Sequence, residues 1–122
     1  MRVKGINCLS AYVTDFERSK RFYSETLGWE LTTDAPGIAG FAFGESYFVI
    51  HSDDRGNPDH RCAGGMHAVV QVEDVDAEHA RLKSLGAAVT DLRDQSWGQR
   101  TFTFTDPDGY MWVYSQPTRN QT

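Results

Sequence analysis

The chain has 122 residues, 39% hydrophobic and 12% aromatic, which suits one domain with an apolar core and excludes a disordered chain. Its 17 acidic residues outnumber 12 basic ones, and this balance, without a basic stripe, argues against nucleic acid as a partner. No apolar run reaches the length of a signal peptide or a membrane span, so we expect a cytoplasmic protein with no membrane partner.

The first half of the chain predicts one strand, one helix and three further strands. Residues 5–13 alternate between an apolar row and a more polar row, as in a strand with one face on a core. Residues 14–17 read as a T-x-x-E capping box in which Asp15 competes as the cap, and Gly28 ends the helix. Three short strands are expected at residues 29–33, 38–43 and 46–51.

The second half repeats this order after a polar connector. Residues 52–65 are rich in Asp, Gly, Pro and Arg and lack apolar periodicity. They separate module one, about residues 5–51, from module two, about residues 66–116. Module two predicts a strand at 66–72, a helix that opens at residues 73–76 and ends at Gly86, a strand at 87–92 and a hairpin over 97–116. The rest, residues 117–122, is expected to be a frayed polar tail.

The two modules match each other along the sequence. Val13-x-Asp15 in module one has the same pattern as Val72-x-Asp74 in module two. The Leu-Gly pairs that follow the two helices are separated by nearly the same number of residues as these two motifs. One helix covers only one face of a short sheet, so neither module can close a core alone. Pairing them would leave the two non-helical faces curving towards each other around a cleft. The prediction is a single α+β domain with a ligand cleft lined by both modules.

These motifs resemble the vicinal oxygen chelate superfamily, which groups glyoxalase I, bleomycin-resistance proteins and extradiol dioxygenases. The resemblance covers the chain from about Gly5 to Gln116. It rests on Val13-Thr-Asp15-Phe-Glu-Arg-Ser19, Phe22-Tyr23-x4-Gly28, Val72-Glu-Asp74-Val75-Asp76 and Phe104-Thr-Asp106-Pro107-Asp108-Gly109. It implies paired βαβββ modules forming an open, cup-shaped eight-stranded barrel, usually in a homodimer. It does not imply one reaction, because these residues are helix caps, packing positions and a turn.

Most of the metal ligands that the resemblance implies are replaced by other residues in this sequence. Enzymes of the family commonly use His or Gln on the first strand of each module and Glu on the last. The matching positions here are Cys8, Phe48, His67 and Val113. Such a set cannot satisfy Mg²⁺ or Mn²⁺, which prefer oxygen donors, and it supplies only half of a tetrahedral zinc site. We therefore expect no cofactor, with a divalent metal as the less favoured alternative.

Both cysteines are predicted to be free thiols. Cys8 and Cys62 are too few for a disulfide framework, and the expected compartment is reducing. Cys8 is interpreted as a small buried side chain rather than a nucleophile, because no basic residue adjoins it. The polar residues His51, Asp53, Asp54, Asp59 and His60 are interpreted as solvated charge rather than a metal cluster.

Residues on the rows that would face the cleft are the candidate ligand contacts. His67 is either a cleft histidine bonded to backbone or water, or a direct contact with an acid–base role. Trp97 and Arg100 either pack locally or stack a planar ligand and bind an anion. Trp112 and Tyr114 are predicted to pack under a helix. The full set of candidate contacts is Cys8, Ser10, Tyr12, Phe48, His67, Val69, Gln71, Trp97, Arg100, Met111, Val113 and Ser115.

The sequence thus favours a bleomycin-resistance-like protein that sequesters an aromatic or cationic small molecule in a metal-free cleft. The alternative is a glyoxalase- or dioxygenase-type enzyme, either with an unusual metal site or with a metal-free mechanism based on His67. A third possibility is an interaction module whose cleft is vestigial.

Overall fold

Two four-stranded sheets, one in each half of the chain, form the frame of the protein. The computed structural model describes residues 2–53 and 67–118. Module one consists of β1 (Cys8–Val13), α1 (Phe16–Arg21), a π-helical turn (Phe22–Thr26), β2 (Leu31–Ala35), β3 (Ile38–Phe43) and β4 (Ser46–Ser52). Module two consists of β5 (Ala68–Gln71), α2 (Val75–Ser84), β6 (Arg93–Asp94), β7 (Gln99–Thr105) and β8 (Met111–Pro117). The predicted α+β class and the repeated order of elements are confirmed.

The two sheets share one topology. The strand order is β1-β4-β3-β2 in module one and β5-β8-β7-β6 in module two. In each module the first strand runs parallel to the last, and the other neighbours are antiparallel. Each helix crosses one face of its own sheet, and the opposite face is called the non-helical face below. The joining of the two modules into an open barrel stays a prediction.

Part of the predicted connector lies outside the described residues. β4 extends to Ser52, which the sequence assigns to the connector. Residues 54–66 and 119–122 are not described, so the predictions for Cys62 and for the tail stay predictions. Among the described residues, no helix combines the length and the apolar character needed to cross a membrane.

Both helices begin at an aspartate cap. The Asp15 carboxylate accepts a hydrogen bond from the Arg18 amide at 3.1 Å, so Asp15 rather than Thr14 caps α1. Asp74 caps α2 in the same way, accepting from the Ala77 amide at 3.0 Å. The motif that repeats between the modules therefore satisfies backbone donors at the start of each helix.

Replacing Asp15 with alanine is expected to lower the free energy of unfolding by about 1 kcal/mol, because the Arg18 amide loses its acceptor. Urea denaturation followed by circular dichroism measures this cost. Asp15→Asn, which keeps an acceptor oxygen, is the control and should retain most of the stability. Equal losses in the two variants would contradict capping as the role of Asp15.

An aromatic cluster forms the core of module one between the helix and the sheet. Tyr23 is fully buried, and its ring centroid lies 5.2 Å from Trp29, 5.6 Å from Phe41 and 4.8 Å from Phe48. Phe41 and Phe48 face each other across β3 and β4. Only 3% of Phe48 is exposed. The prediction that Phe48 lines a ligand cleft is therefore wrong: its ring belongs to the core under the helix.

A second aromatic cluster lies under α2 in module two. Phe102 and Phe104 on β7 contact Tyr114 on β8, with ring centroids 5.6 and 4.9 Å apart. Trp112 and Tyr114 are buried, as are Val75 and Leu82 of the helix, which confirms the predicted core role of Trp112 and Tyr114.

The predicted strand at residues 87–92 is wrong. Only Val89 forms an isolated bridge there, to Phe104, and the regular edge strand is the two-residue β6. The Thr90 amide donates to the Thr103 carbonyl, but the Thr103 amide donates to the Thr90 hydroxyl, both at 2.9 Å. Because a side-chain oxygen takes the place of the backbone carbonyl, the ladder does not continue through this segment.

Candidate functional site

The non-helical face of module one carries the predicted polar row of β1. Cys8, Ser10 and Tyr12 are exposed, while Val13 at the end of the other row is fully buried. The parallel register places this row beside the β4 residues Tyr47, Val49 and His51. Cys8 is thus an exposed free thiol, and its interpretation as a buried side chain is wrong.

A shallow, mainly apolar cavity of about 390 Å³ lies on this face. Its walls include Cys8, Tyr47, Val49 and Ile38, and Gly40 lies where a β-carbon would come within 3.2 Å of the Thr33 side chain. Tyr47 is 56% exposed, although it is a large aromatic side chain. An exposed aromatic beside an apolar cavity is a suitable contact for a flat organic ligand.

His51 and Asp53 depart from their interpretation as solvated charge. The His51 ring lies 5.6 Å from the Tyr12 ring on the non-helical face. Asp53 is only 7% exposed. His51 is therefore part of this face, where the sequence analysis had placed Phe48 from β4, and alternation along β4 from Tyr47 is the pattern that could have found it.

The non-helical face of module two also carries the predicted residues of its first and last strands. Val69 faces Val113, and Gln71 faces Ser115, in the parallel register of β5 and β8. His67 is exposed just before β5, and Met111 is 42% exposed on β8. Ser115 differs from these in being only 6% exposed.

Arg100 lies on the wrong side of the sheet for the role predicted from sequence. Its guanidinium bonds Asp76 of α2 and Asp94 of β6, each at 3.0 Å, on the helix side. The hydrogen bonds to Asp76 and to Asp94 raise the pKa of Arg100 above its ordinary value. Arg100 is a structural cation between two carboxylates. Trp97 is 65% exposed near the β6–β7 turn, with its indole accessible.

Sequence reasoning missed the β6–β7 side of this face. A cavity of about 520 Å³ is lined there by Arg93, Gln95, Thr101 and Thr103, together with Asp91. Thr101 faces Ser115, and Thr103 faces Val113, so both threonines share the face of the predicted residues. The alternation Thr-Phe-Thr-Phe-Thr over residues 101–105 is the pattern that could have found them.

The residues at the implied metal positions do not fit a divalent metal. Ser10 faces Val49 as Val69 faces Val113, so Val49, not Phe48, is the module-one counterpart of Val113. The set is then Cys8, Val49, His67 and Val113, in which two members have no donor atom. Within residues 2–53 and 67–118, no three His, Cys, Asp or Glu side chains are grouped to hold a metal ion.

Comparison with known proteins identifies the family. The chain belongs to the Glyoxalase/Bleomycin resistance protein/Dioxygenase superfamily, whose family model matches residues 5–114. The chain is 28% identical to the bleomycin resistance protein of Geobacillus stearothermophilus over 88% of its own length and 93% of that protein. It is also 47% identical over 49 residues to an uncharacterized protein of Mycobacterium bovis, a match covering 39% of this chain and 32% of that relative. The match thus spans about a third of that relative.

Two solved structures show the same fold. The antibiotic binding protein TnmS3 of Streptomyces sp. CB03234 is 31% identical with a TM-score of 0.76, covering 97% of this chain and 99% of that one. Lactoylglutathione lyase of Agrobacterium tumefaciens, at 20% identity and a TM-score of 0.74, covers 94% of this chain and 95% of that one. The second likeness supports the fold alone.

Proposed function

We propose that the protein binds an aromatic or cationic small molecule on the non-helical faces of its sheets and does not convert it. The proposal rests first on Val49 and Val113. Both occupy last-strand positions where a metal-dependent relative would carry an acidic ligand. Val49 instead lines the cavity of module one, and Val113 lies opposite Val69 on the non-helical face of module two. Such surfaces bind through apolar contact rather than by holding a reactive ion.

Exposed apolar side chains on the same faces support binding. Tyr47, Val69 and Met111 are 56%, 60% and 42% exposed. Exposed apolar side chains on these faces offer contact area to an apolar ligand. The likeness to an antibiotic binding protein and to a bleomycin resistance protein makes a natural product with aromatic rings a reasonable ligand class.

The alternative is an enzyme that uses His67, which is exposed on the same face. An imidazole can act as a general acid or base without a metal. The cytoplasmic location, the homodimer and the absence of a cofactor stay predictions from the sequence.

Titration with bleomycin and with doxorubicin, followed by tryptophan fluorescence, tests the proposal. At least one of these compounds is expected to give saturable quenching and to be recovered unchanged by mass spectrometry. Recovery of a product that disappears in His67→Ala would favour the enzyme. No saturable response to either compound would count against the proposed function.

Val69→Ser is expected to weaken binding of the quenching compound about three- to tenfold, because the variant removes apolar contact area from the face. Leu85→Ser is the matched control, since Leu85 is 56% exposed but follows α2, away from either non-helical face. Equal loss of affinity in both variants would show that binding does not use this face.

A further inference from the structure

A continuous polar row crosses all four strands of module two on its non-helical face. The antiparallel register pairs Arg93 of β6 with Thr101 of β7, and Thr101 with Ser115 of β8. The parallel register then pairs Ser115 with Gln71 of β5. Directly opposed residues share a face, so these four side chains form one line, called the polar row below.

The inner members of the polar row are the hydroxyl groups of two largely buried residues. Thr101 is 8% exposed and Ser115 is 6% exposed. The Gln95 amide nitrogen donates to the Thr101 hydroxyl oxygen at 2.9 Å, which leaves the Thr101 proton to donate elsewhere. In the part of the chain that the structure describes, no other residue bonds the side chains of Thr101 or Ser115. A hydroxyl proton that bonds no described residue can be donated to an acceptor on a bound ligand.

Arg93 gives the polar row a charged end. It lines the same cavity of about 520 Å³ as Thr101 and Gln95. Asp91 also lines that cavity, yet among the described residues no carboxylate forms an ion pair with Arg93. Arg100, which lies next to Thr101 on β7, forms ion pairs with Asp76 and Asp94 on the opposite face of the sheet. Arg93 is therefore the guanidinium available to a bound molecule.

We infer that the polar row recognises an acidic, oxygen-bearing edge of the aromatic ligand, a carboxylate or phenolate, with Arg93 as the specificity-determining cation. This inference rests on the proposed function and adds the chemistry of the ligand to it. Arg93 can only donate and Thr101 keeps a proton to donate, while Ser115 and Gln71 can donate or accept, so a ligand edge that supplies acceptors matches all four side chains. The module-one face offers no such line, because its corresponding row is Tyr12, His51, Ile38 and Ala35.

The formal net charge of −5 does not oppose this assignment at the site. Exposed charges beyond about 10 Å are largely screened at moderate salt, whereas a guanidinium and a carboxylate in contact form a short charge-assisted pair. The local cation thus decides the preference between ligands of the same shape.

Three ligands with one ring system test the polar row: anthraquinone-2-carboxylate, 2-(hydroxymethyl)anthraquinone and 2-(aminomethyl)anthraquinone. Tryptophan quenching by the intact protein gives the three dissociation constants. The carboxylate is expected to bind about tenfold more tightly than the amine. Arg93→Gln should remove that preference while leaving affinity for the hydroxymethyl compound within about twofold. Arg100→Gln, the matched control, should keep the preference.

Thr101→Val gives a second readout with little change in shape. The Thr101→Val substitution is expected to weaken binding of anthraquinone-2-carboxylate several-fold, and Thr101→Ser should restore that binding. Tighter binding of the amine, or the same preference in Arg93→Gln and the parent protein, would overturn the inference while ligand binding itself stands. Failure of all three compounds to bind would count against both the inference and the proposed function. If the hydroxymethyl compound binds but the carboxylate is not preferred, only the inference is contradicted.

Discussion

Replacing Phe48 with alanine is expected to lower the free energy of unfolding by about 3–5 kcal/mol, several times the cost of losing a helix cap. Phe48 is only 3% exposed, and its ring centroid lies 4.8 Å from that of Tyr23 and 6.3 Å from that of Phe41. Truncation would leave a cavity that two rigid strands and a helix cannot fill. Chemical denaturation with fluorescence and circular dichroism gives the loss in stability.

Val49→Ala is the matched control, because Val49 is the next residue on β4 and points to the opposite face. Its expected cost in stability is about 1 kcal/mol, and its expected effect is on ligand affinity instead. A Phe48→Ala protein that keeps its stability but loses affinity would contradict the core placement. Such a result would restore Phe48 to the cleft role predicted from sequence.

Rows along single strands could be predicted from the sequence. In β1 and β5 successive side chains point alternately to the two faces of the sheet. The exposure of Ser10, Tyr12, Val69 and Gln71 therefore follows from this alternation alone. The two helix starts also follow from local chemistry, since an aspartate before an apolar stripe satisfies the first free amides.

The position of Phe48 could not be predicted in the same way, because it depends on the length of a turn. The β3–β4 turn closes between Phe43 and Ser46, whereas the β7–β8 loop closes between Thr105 and Met111. Counting the same number of residues from the glycine of each turn therefore reaches opposite faces in the two modules. A shift of one residue exchanges core and surface along the whole strand.

The omission of Arg93 has a physical cause in the short edge strand. Residues 91–94 carry no apolar alternation, so nothing in the sequence indicates that β6 exists or which residue it pairs with Thr101. Without that strand, the arginine beside Trp97 is the obvious ligand cation. The alternation along β7 places Arg100 on the same face as Phe102, and the structure shows that its guanidinium bonds Asp76 of α2 there.

Replacing Asp106 with alanine is the second substitution with a large expected effect, about 2–4 kcal/mol of unfolding free energy. Its carboxylate oxygen Oδ1 accepts from the Asp108 amide at 3.0 Å and from the Tyr110 amide at 2.8 Å. Asp106 is only 6% exposed, so water would not fully replace these bonds. Denaturation of the variant measures the loss, and the aromatic cluster of module two should loosen with it.

Asp106→Asn is the control that separates acceptor from charge. One amide oxygen can accept both bonds, so we expect most of the stability to return. If Asn costs as much as Ala, the charge of the carboxylate rather than the acceptor geometry holds the loop. With the expected result, the Asp-Pro-Asp-Gly motif that carries the family resemblance acts by closing the β7–β8 hairpin, where Gly109 adopts a φ of +88°. The motif then fixes which residues of β7 and β8 reach the non-helical face, Thr101, Val113 and Ser115 among them.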